Sequence, residues 1–131
     1  MLKSIAVKDY MSAHLITFTP DMDLLTAINK LIHYRISGAP VVDEHGTLIG
    51  MLSERDFMKI ALFTSYDEHP AGKVSGYMSR TVETVDAEAS ICEVAEKFIK
   101  GHYRRYPVLW EQRLVGQISR HDVLKALAEF W

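Results

Sequence analysis

Val7, Tyr10, Met11 and Ser12 recur sixty-seven residues later as Val74, Tyr77, Met78 and Ser79, and the match continues from Thr17 to Thr84 and from Pro40-Val41 to Pro107-Val108. One residue is then lost in a turn. At the new spacing of 66, Leu48, Gly50, Ser53 and Asp56 return as Leu114, Gly116, Ser119 and Asp122. An internal repeat of this length fixes the architecture before any single residue does. The chain is two halves, residues 1–65 and 73–131, joined by a linker at 66–72.

Each half carries the same order of signals. A short helical turn covers residues 7–11, and a strand is expected over 15–18. Pro20 and Asp21 open a helix whose Leu24, Leu25, Ala27, Ile28, Leu31 and Ile32 take the i, i+3, i+4, i+7 steps of one apolar face. Ile91, Cys92, Val94, Ala95, Phe98 and Ile99 take identical steps in the second half. Ser37-Gly38 ends the first helix before a strand over 39–42. Asp43-Glu44-His45-Gly46 reads as a hairpin turn, and the next strand runs through Leu52 into a last helix over 57–62. The order is β-α-β-β-α twice, an α+β fold. Residues 64–72 are polar with Pro and Gly and read as a linker. Asp67, Glu68 and His69 lie within it, but adjacent loop residues rarely converge on one ion, so no metal site is expected there.

With 48% hydrophobic and 24% charged residues in 131, the composition is that of a compact globular domain. A chain of this length buries about two-thirds of its unfolded surface without a covalent staple. The single cysteine, Cys92, excludes an internal disulfide framework. A net charge of −2 argues against nucleic-acid binding, which needs a basic face. Neither a signal peptide nor an apolar run of about 18 residues is evident. No membrane association is expected, and the expected location is cytoplasmic.

The repeated corner Gly50-Met51-Leu52-Ser53-Glu54-Arg55-Asp56 and its copy Gly116-Gln117-Ile118-Ser119-Arg120-His121-Asp122 admit two readings. Ser-x-x-Asp ahead of an apolar run is close to a capping box, with the hydroxyl and the acid satisfying the helix's first N–H groups. The same geometry offers an anion free N–H groups and partial positive charge, with a hydroxyl for a phosphate and a carboxylate for the hydroxyls of a ribose.

Ser37-Gly38-Ala39-Pro40-Val41-Val42-Asp43, followed by Leu48-Ile49-Gly50-Met51-Leu52-Ser53 and Asp56, resembles a CBS domain, named for cystathionine β-synthase. Arg105-Tyr106-Pro107-Val108 through Gly116, Ser119 and Asp122 resembles a second, so nearly the whole chain is similar to a tandem CBS pair, or Bateman module, standing alone. The resemblance implies two repeats packed through their sheets about a pseudo-twofold axis, with two clefts that take AMP, ADP, ATP or S-adenosylmethionine. It assigns the ribose to the motif Asp, the phosphates to the Ser, and the adenine wall to the other repeat. On that scheme one cleft uses Ser119, His121 and Asp122 with Ile16, Thr17, Ile36, Ser37, Gly38, Ala39 and Pro40, and with Arg104 and Arg105 toward phosphate. The second uses Ser53, Arg55 and Asp56 with Val82, Tyr103, Tyr106 and Pro107. It also implies a flat homodimer and a regulated partner protein; some members bind no nucleotide.

Arg104 and Arg105 are either phosphate contacts, for which the guanidinium fork is suited, or solvated residues at a strand start. Arg55, Arg120 and His121 divide the same way. Cys92, in the place of Leu25, reads as a buried structural thiol. No catalytic triad, metal spacing or phosphate-binding glycine loop is present. The expected function is therefore a non-enzymatic regulatory module that requires no cofactor, with a structural dimerisation module as the alternative.

Overall fold

The computed structural model describes residues 2–63 and 71–131. Most of the expected linker, with Asp67, Glu68 and His69, lies outside the described residues. Two compact units are present: Ile16–Val82, and Met1–Leu15 together with Glu83–Trp131.

In the first unit, Asp23 caps α1 (Leu24–Tyr34), its carboxylate accepting from the Leu25 N–H at 3.0 Å. Pro20 and Asp21 do not open this helix as the sequence suggests. They sit in a turn closed by the Met22 N–H on the Thr19 carbonyl, and the Asp23 side chain sets the first helical residue because it satisfies an otherwise orphaned donor. Leu24, Ala27 and Leu31 are buried, whereas Leu25 and Ile32 stay about two-thirds exposed. Arg35, in the left-handed region at φ 53°, ends the helix. An antiparallel hairpin follows, β1 (Gly38–Val42) and β2 (Leu48–Ser53), and then α2 (Glu54–Phe63).

The strand expected over 15–18 is reduced to one bridge, Phe18 alongside Val41. Phe18 donates to the Pro40 carbonyl and accepts from the Val42 N–H. Continuing that parallel ladder toward residue 16 requires an N–H at position 40. Proline has none, so pairing stops there. In the second unit the equivalent strand, β3 (Val85–Asp86), is two residues long beside β4 (Arg105–Trp110), with Pro107 in the matching place.

β5 (Arg113–Ser119) pairs antiparallel with β4. α3 (Ile91–Lys100), capped by Ser90, and α4 (Arg120–Phe130) complete the second unit. Each core lies between sheet and helices. Phe18, Leu24, Val41 and Leu52 anchor the first; Ile91, Val94, Tyr106 and Ile118 anchor the second. Burying each such side chain contributes about 1.5–3 kcal/mol.

The segment that opens each sequence repeat closes the sheet of the unit that holds the other repeat's hairpin. Ser12 exchanges two backbone hydrogen bonds of 2.9 Å with Gln117, and Ser79 does the same with Met51. Val7, with no exposed surface, belongs to the core of β4 and β5, and Val74, equally buried, to that of β1 and β2.

Candidate functional site

In both units a serine is the last residue of a strand and the cap of the following helix. Strand pairing therefore ends where a helix begins to present unpaired N–H groups. In the first unit the Asp56 Oδ2 accepts from the Ser53 N–H at 2.8 Å and from the Ser53 hydroxyl at 3.0 Å, and the Asp56 N–H donates to the Ser53 Oγ at 3.3 Å. In the second, Asp122 Oδ2 accepts from the Ser119 N–H at 2.9 Å and the Asp122 N–H donates to the Ser119 Oγ at 3.1 Å. Both are reciprocal capping boxes. They differ in one hydrogen bond. The Ser53 hydroxyl also donates to the Asp56 carboxylate, whereas the Ser119 hydroxyl accepts from Asp122 and donates to no protein acceptor among the described residues. Among the described residues, the Oδ1 atoms of Asp56 and Asp122 receive no hydrogen bond, and both residues are only half-buried.

One backbone contact fixes what lies beside each corner. The Glu54 N–H donates to the Ser37 carbonyl at 2.8 Å, and the Arg120 N–H donates to the Arg104 carbonyl at 3.1 Å. Correspondingly, Gly38 pairs with Ser53, and Arg105 with Ser119. The Ser53 corner is thus flanked by two small residues and the Ser119 corner by two arginines. Arg105 is half-buried; its Nε is sealed from solvent with no hydrogen-bond partner. Among the described residues no carboxylate forms an ion pair with Arg104, Arg105 or Arg120. A buried unpaired donor costs about 1–3 kcal/mol.

The remaining expected residues divide by unit. Ile16, Thr17, Ile36, Ser37, Gly38, Ala39, Pro40 and Val82 belong to the unit of Ser53, Arg55 and Asp56, and Tyr103, Tyr106 and Pro107 to the unit of Ser119, His121 and Asp122. Ile16, Thr17, Ile36, Ser37 and Val82 are half-buried; Gly38, Ala39, Pro40 and Pro107 are buried; Arg55, Arg104 and His121 are exposed. Tyr106 is buried in the core of its unit. Its hydroxyl donates to the Lys97 carbonyl at 3.1 Å, its ring packs against Phe98, and burial pushes its phenol pKa up. Tyr103 is the exposed ring, its centroid 5.5 Å from that of Tyr106. Cys92 is half-buried rather than buried, and Leu25, its counterpart in the first repeat, is exposed.

Sequence reading passed over Glu54, which puts a second carboxylate beside Asp56 where the other corner has Arg120. Aligning the two corners residue by residue exposes that difference. Among the described residues no cluster of three or more histidine, cysteine or acidic side chains could hold a metal, and no helix is long and apolar enough to cross a membrane.

The sequence profile of the CBS domain matches twice, over residues 7–62 and 74–129. This chain belongs to the CBS domain family. The pair is 31% identical over 125 residues to the uncharacterized protein MJ1225 of Methanocaldococcus jannaschii, covering 95% of this chain and 44% of that protein, so it spans less than half of that relative. Hypoxic response protein 1 of Mycobacterium tuberculosis is 30% identical over 123 residues, 93% of this chain and 85% of that protein. The crystal structure of the CBS domain pair of protein MJ0100, in complex with 5′-methylthioadenosine and S-adenosyl-L-methionine, superimposes with a TM-score of 0.78 at 28% identity, covering 96% of this chain and 98% of that one.

Proposed function

We propose that this CBS pair is a non-catalytic regulatory module that binds an adenine nucleotide or adenosyl ligand and passes the signal to a partner protein. The observation that carries the reading is the corner built twice, a serine hydroxyl and a half-free carboxylate at a helix mouth, with Arg105, whose Nε has no hydrogen-bond partner, beside one copy. The carboxylate's unoccupied oxygen suits ribose hydroxyls, and the helix N–H groups with the guanidinium suit a phosphate. The adenosyl ligands of the MJ0100 domain pair support the ligand class. Candidates are AMP, ADP, ATP and S-adenosylmethionine, and the expected location is cytoplasmic.

A thermal-shift series with AMP, ADP, ATP, NAD and S-adenosylmethionine tests the reading. A ligand at 100 times its dissociation constant should add about 2.7 kcal/mol of stability. No shift with any of them favours the second reading, a structural dimerisation module. That alternative has its own observation. Met58, Leu62 and Phe63 of α2, and Leu124, Phe130 and Trp131 at the end of the chain, are exposed. Apolar surface of this kind marks a contact, and a closed twofold dimer is the commonest way to cover it. The pair is expected to sediment as a homodimer at micromolar concentration; a monomer would remove that part of the proposal.

A further inference from the structure

The two corners are built alike in backbone and opposite in charge. The backbone of the Ser119 corner brings together three arginines, Arg104, Arg105 and Arg120, and one acid, Asp122. That of the Ser53 corner brings together one arginine, Arg55, and two acids, Glu54 and Asp56, with Ser37 and Gly38 in the places of Arg104 and Arg105. The hydroxyls differ in the same sense. The Ser53 hydroxyl donates to the Asp56 carboxylate, and the Ser119 hydroxyl donates to no protein acceptor among the described residues. The Ser119 corner also holds the Arg105 Nε that no protein acceptor satisfies.

We propose that the two corners select adenosyl ligands by charge: the Ser119 corner takes a phosphate-bearing nucleotide, and the Ser53 corner excludes phosphate and takes an uncharged or cationic adenosyl compound. The inference rests on the adenosyl-binding reading and divides it. Phosphate gains charge-assisted hydrogen bonds from paired guanidiniums, which present planar forks of donors. Beside Glu54 and Asp56 the same phosphate meets two like charges, and the Ser53 hydroxyl already donates to Asp56. A ribose needs only an acceptor, which the Asp56 Oδ1 supplies, and a sulfonium centre is attracted to the carboxylate pair. Glu54 is therefore the specificity-determining residue of its corner. Arg104 and Arg105 play the opposite part in theirs.

Calorimetric titration of the full chain with ATP, AMP, adenosine and S-adenosylmethionine tests this. ATP is expected to fill one site per chain, lost in Asp122→Ala and kept in Asp56→Ala. S-adenosylmethionine is expected to fill one site with the reverse dependence. Arg104→Gln with Arg105→Gln should weaken ATP and AMP at least tenfold and leave adenosine within about twofold. Glu54→Arg should open a second ATP site. ATP affinity should fall steeply between 50 and 500 mM salt, and adenosine affinity should not; this comparison uses the unaltered protein and does not depend on any variant folding. Absence of binding by all four ligands overturns the adenosyl reading itself. Binding of ATP and adenosine with equal affinity at both corners, or ATP binding that survives Asp122→Ala and the double arginine change, leaves that reading standing and overturns the division by charge.

Discussion

Gly50 and Gly116 sit inside strands, where glycine packs poorly and weakens the ladder unless something needs the space. A Cβ on Gly116 would lie 2.7 Å from both the Met11 Sδ and the Ser12 carbonyl oxygen; one on Gly50 would lie 2.5 Å from the Met78 Sδ and 3.0 Å from the Ser79 carbonyl oxygen. A thioether can swing aside, but the carbonyl of a residue held by two backbone hydrogen bonds cannot. Gly116→Ala is therefore expected to cost about 1–3 kcal/mol in urea unfolding, and Gly50→Ala less. A midpoint for Gly116→Ala equal to the parent's would show that crowding is not why glycine stands there. The recurrence of both glycines is plain in the sequence. Their reason is not, because the crowding segments lie far away in the chain and only the fold brings Met11 to Gly116. The Ser-x-x-Asp corners were legible because the whole motif is local. The unequal use of the serine hydroxyls was not, since both corners carry the same Ser-x-x-Asp motif.

At the scale of elements, the two hairpins solve one problem with different chemistry. In the first, the Asp43 carboxylate accepts from the Thr47 and His45 N–H groups at 2.9 Å each, and Gly46 takes φ 80° without strain. The Thr47 N–H above all, assisted by that of His45, holds the Asp43 carboxyl below its ordinary pKa. A depressed carboxyl stabilises the fold above its unfolded pKa, and that contribution is lost as pH falls through the lower folded value. The Thr47 and His45 amide protons should accordingly lose exchange protection on acidification below about pH 4, a change that Asp43→Asn should abolish. The second hairpin reverses through Glu111 at φ 49° and Gln112 at φ 68°, between the paired Trp110 and Arg113. Two left-handed residues in a two-residue loop favour Asn-Gly. Glu111→Asn with Gln112→Gly is expected to stabilise the second unit by about 1 kcal/mol in urea titration, because left-handed geometry strains longer L side chains; a lower midpoint would refute this. The Asp-to-Gly turn was readable from composition, but Glu-Gln carries no turn signature, and its place showed only as the residue missing from the repeat. Helix faces were legible in period and less so in width. The stripe includes Leu25 and Ile32, which the unit's own core leaves exposed.

For the molecule as a whole, the sequence repeats and the compact units are out of phase. The Val7 N–H donates to the Ala89 carbonyl, and the Ile91 N–H donates to the Ile5 carbonyl, each at 2.8 Å, so the start of the chain is built into the unit of α3 and β5. The Val74 and Ser75 N–H groups donate to the Met22 and Pro20 carbonyls at 2.9 Å, so the segment that opens the second repeat is built into the unit of α1 and β1. The phase was not legible, because periodicity reports which residues correspond and not which copy each one packs against. It has a consequence measurable in the intact chain. Val7 and Val74 are equivalent in sequence and equally buried, so truncating either removes the same methyl groups from a closed core and should cost about 1–3 kcal/mol. The loss should appear across the chain from the mutation. Native-state hydrogen exchange reads opening free energies unit by unit. Val7→Ala is expected to speed exchange in α3, β4 and β5, roughly tenfold for each 1.4 kcal/mol lost, while α1 and β1 keep the parent's rates. Val74→Ala should do the reverse, loosening α1, β1 and β2 and sparing α3. If Val7→Ala instead speeds exchange in α1 and β1 and leaves α3 unchanged, each repeat holds its own opening segment and the division of the chain at residues 15 and 82 is wrong.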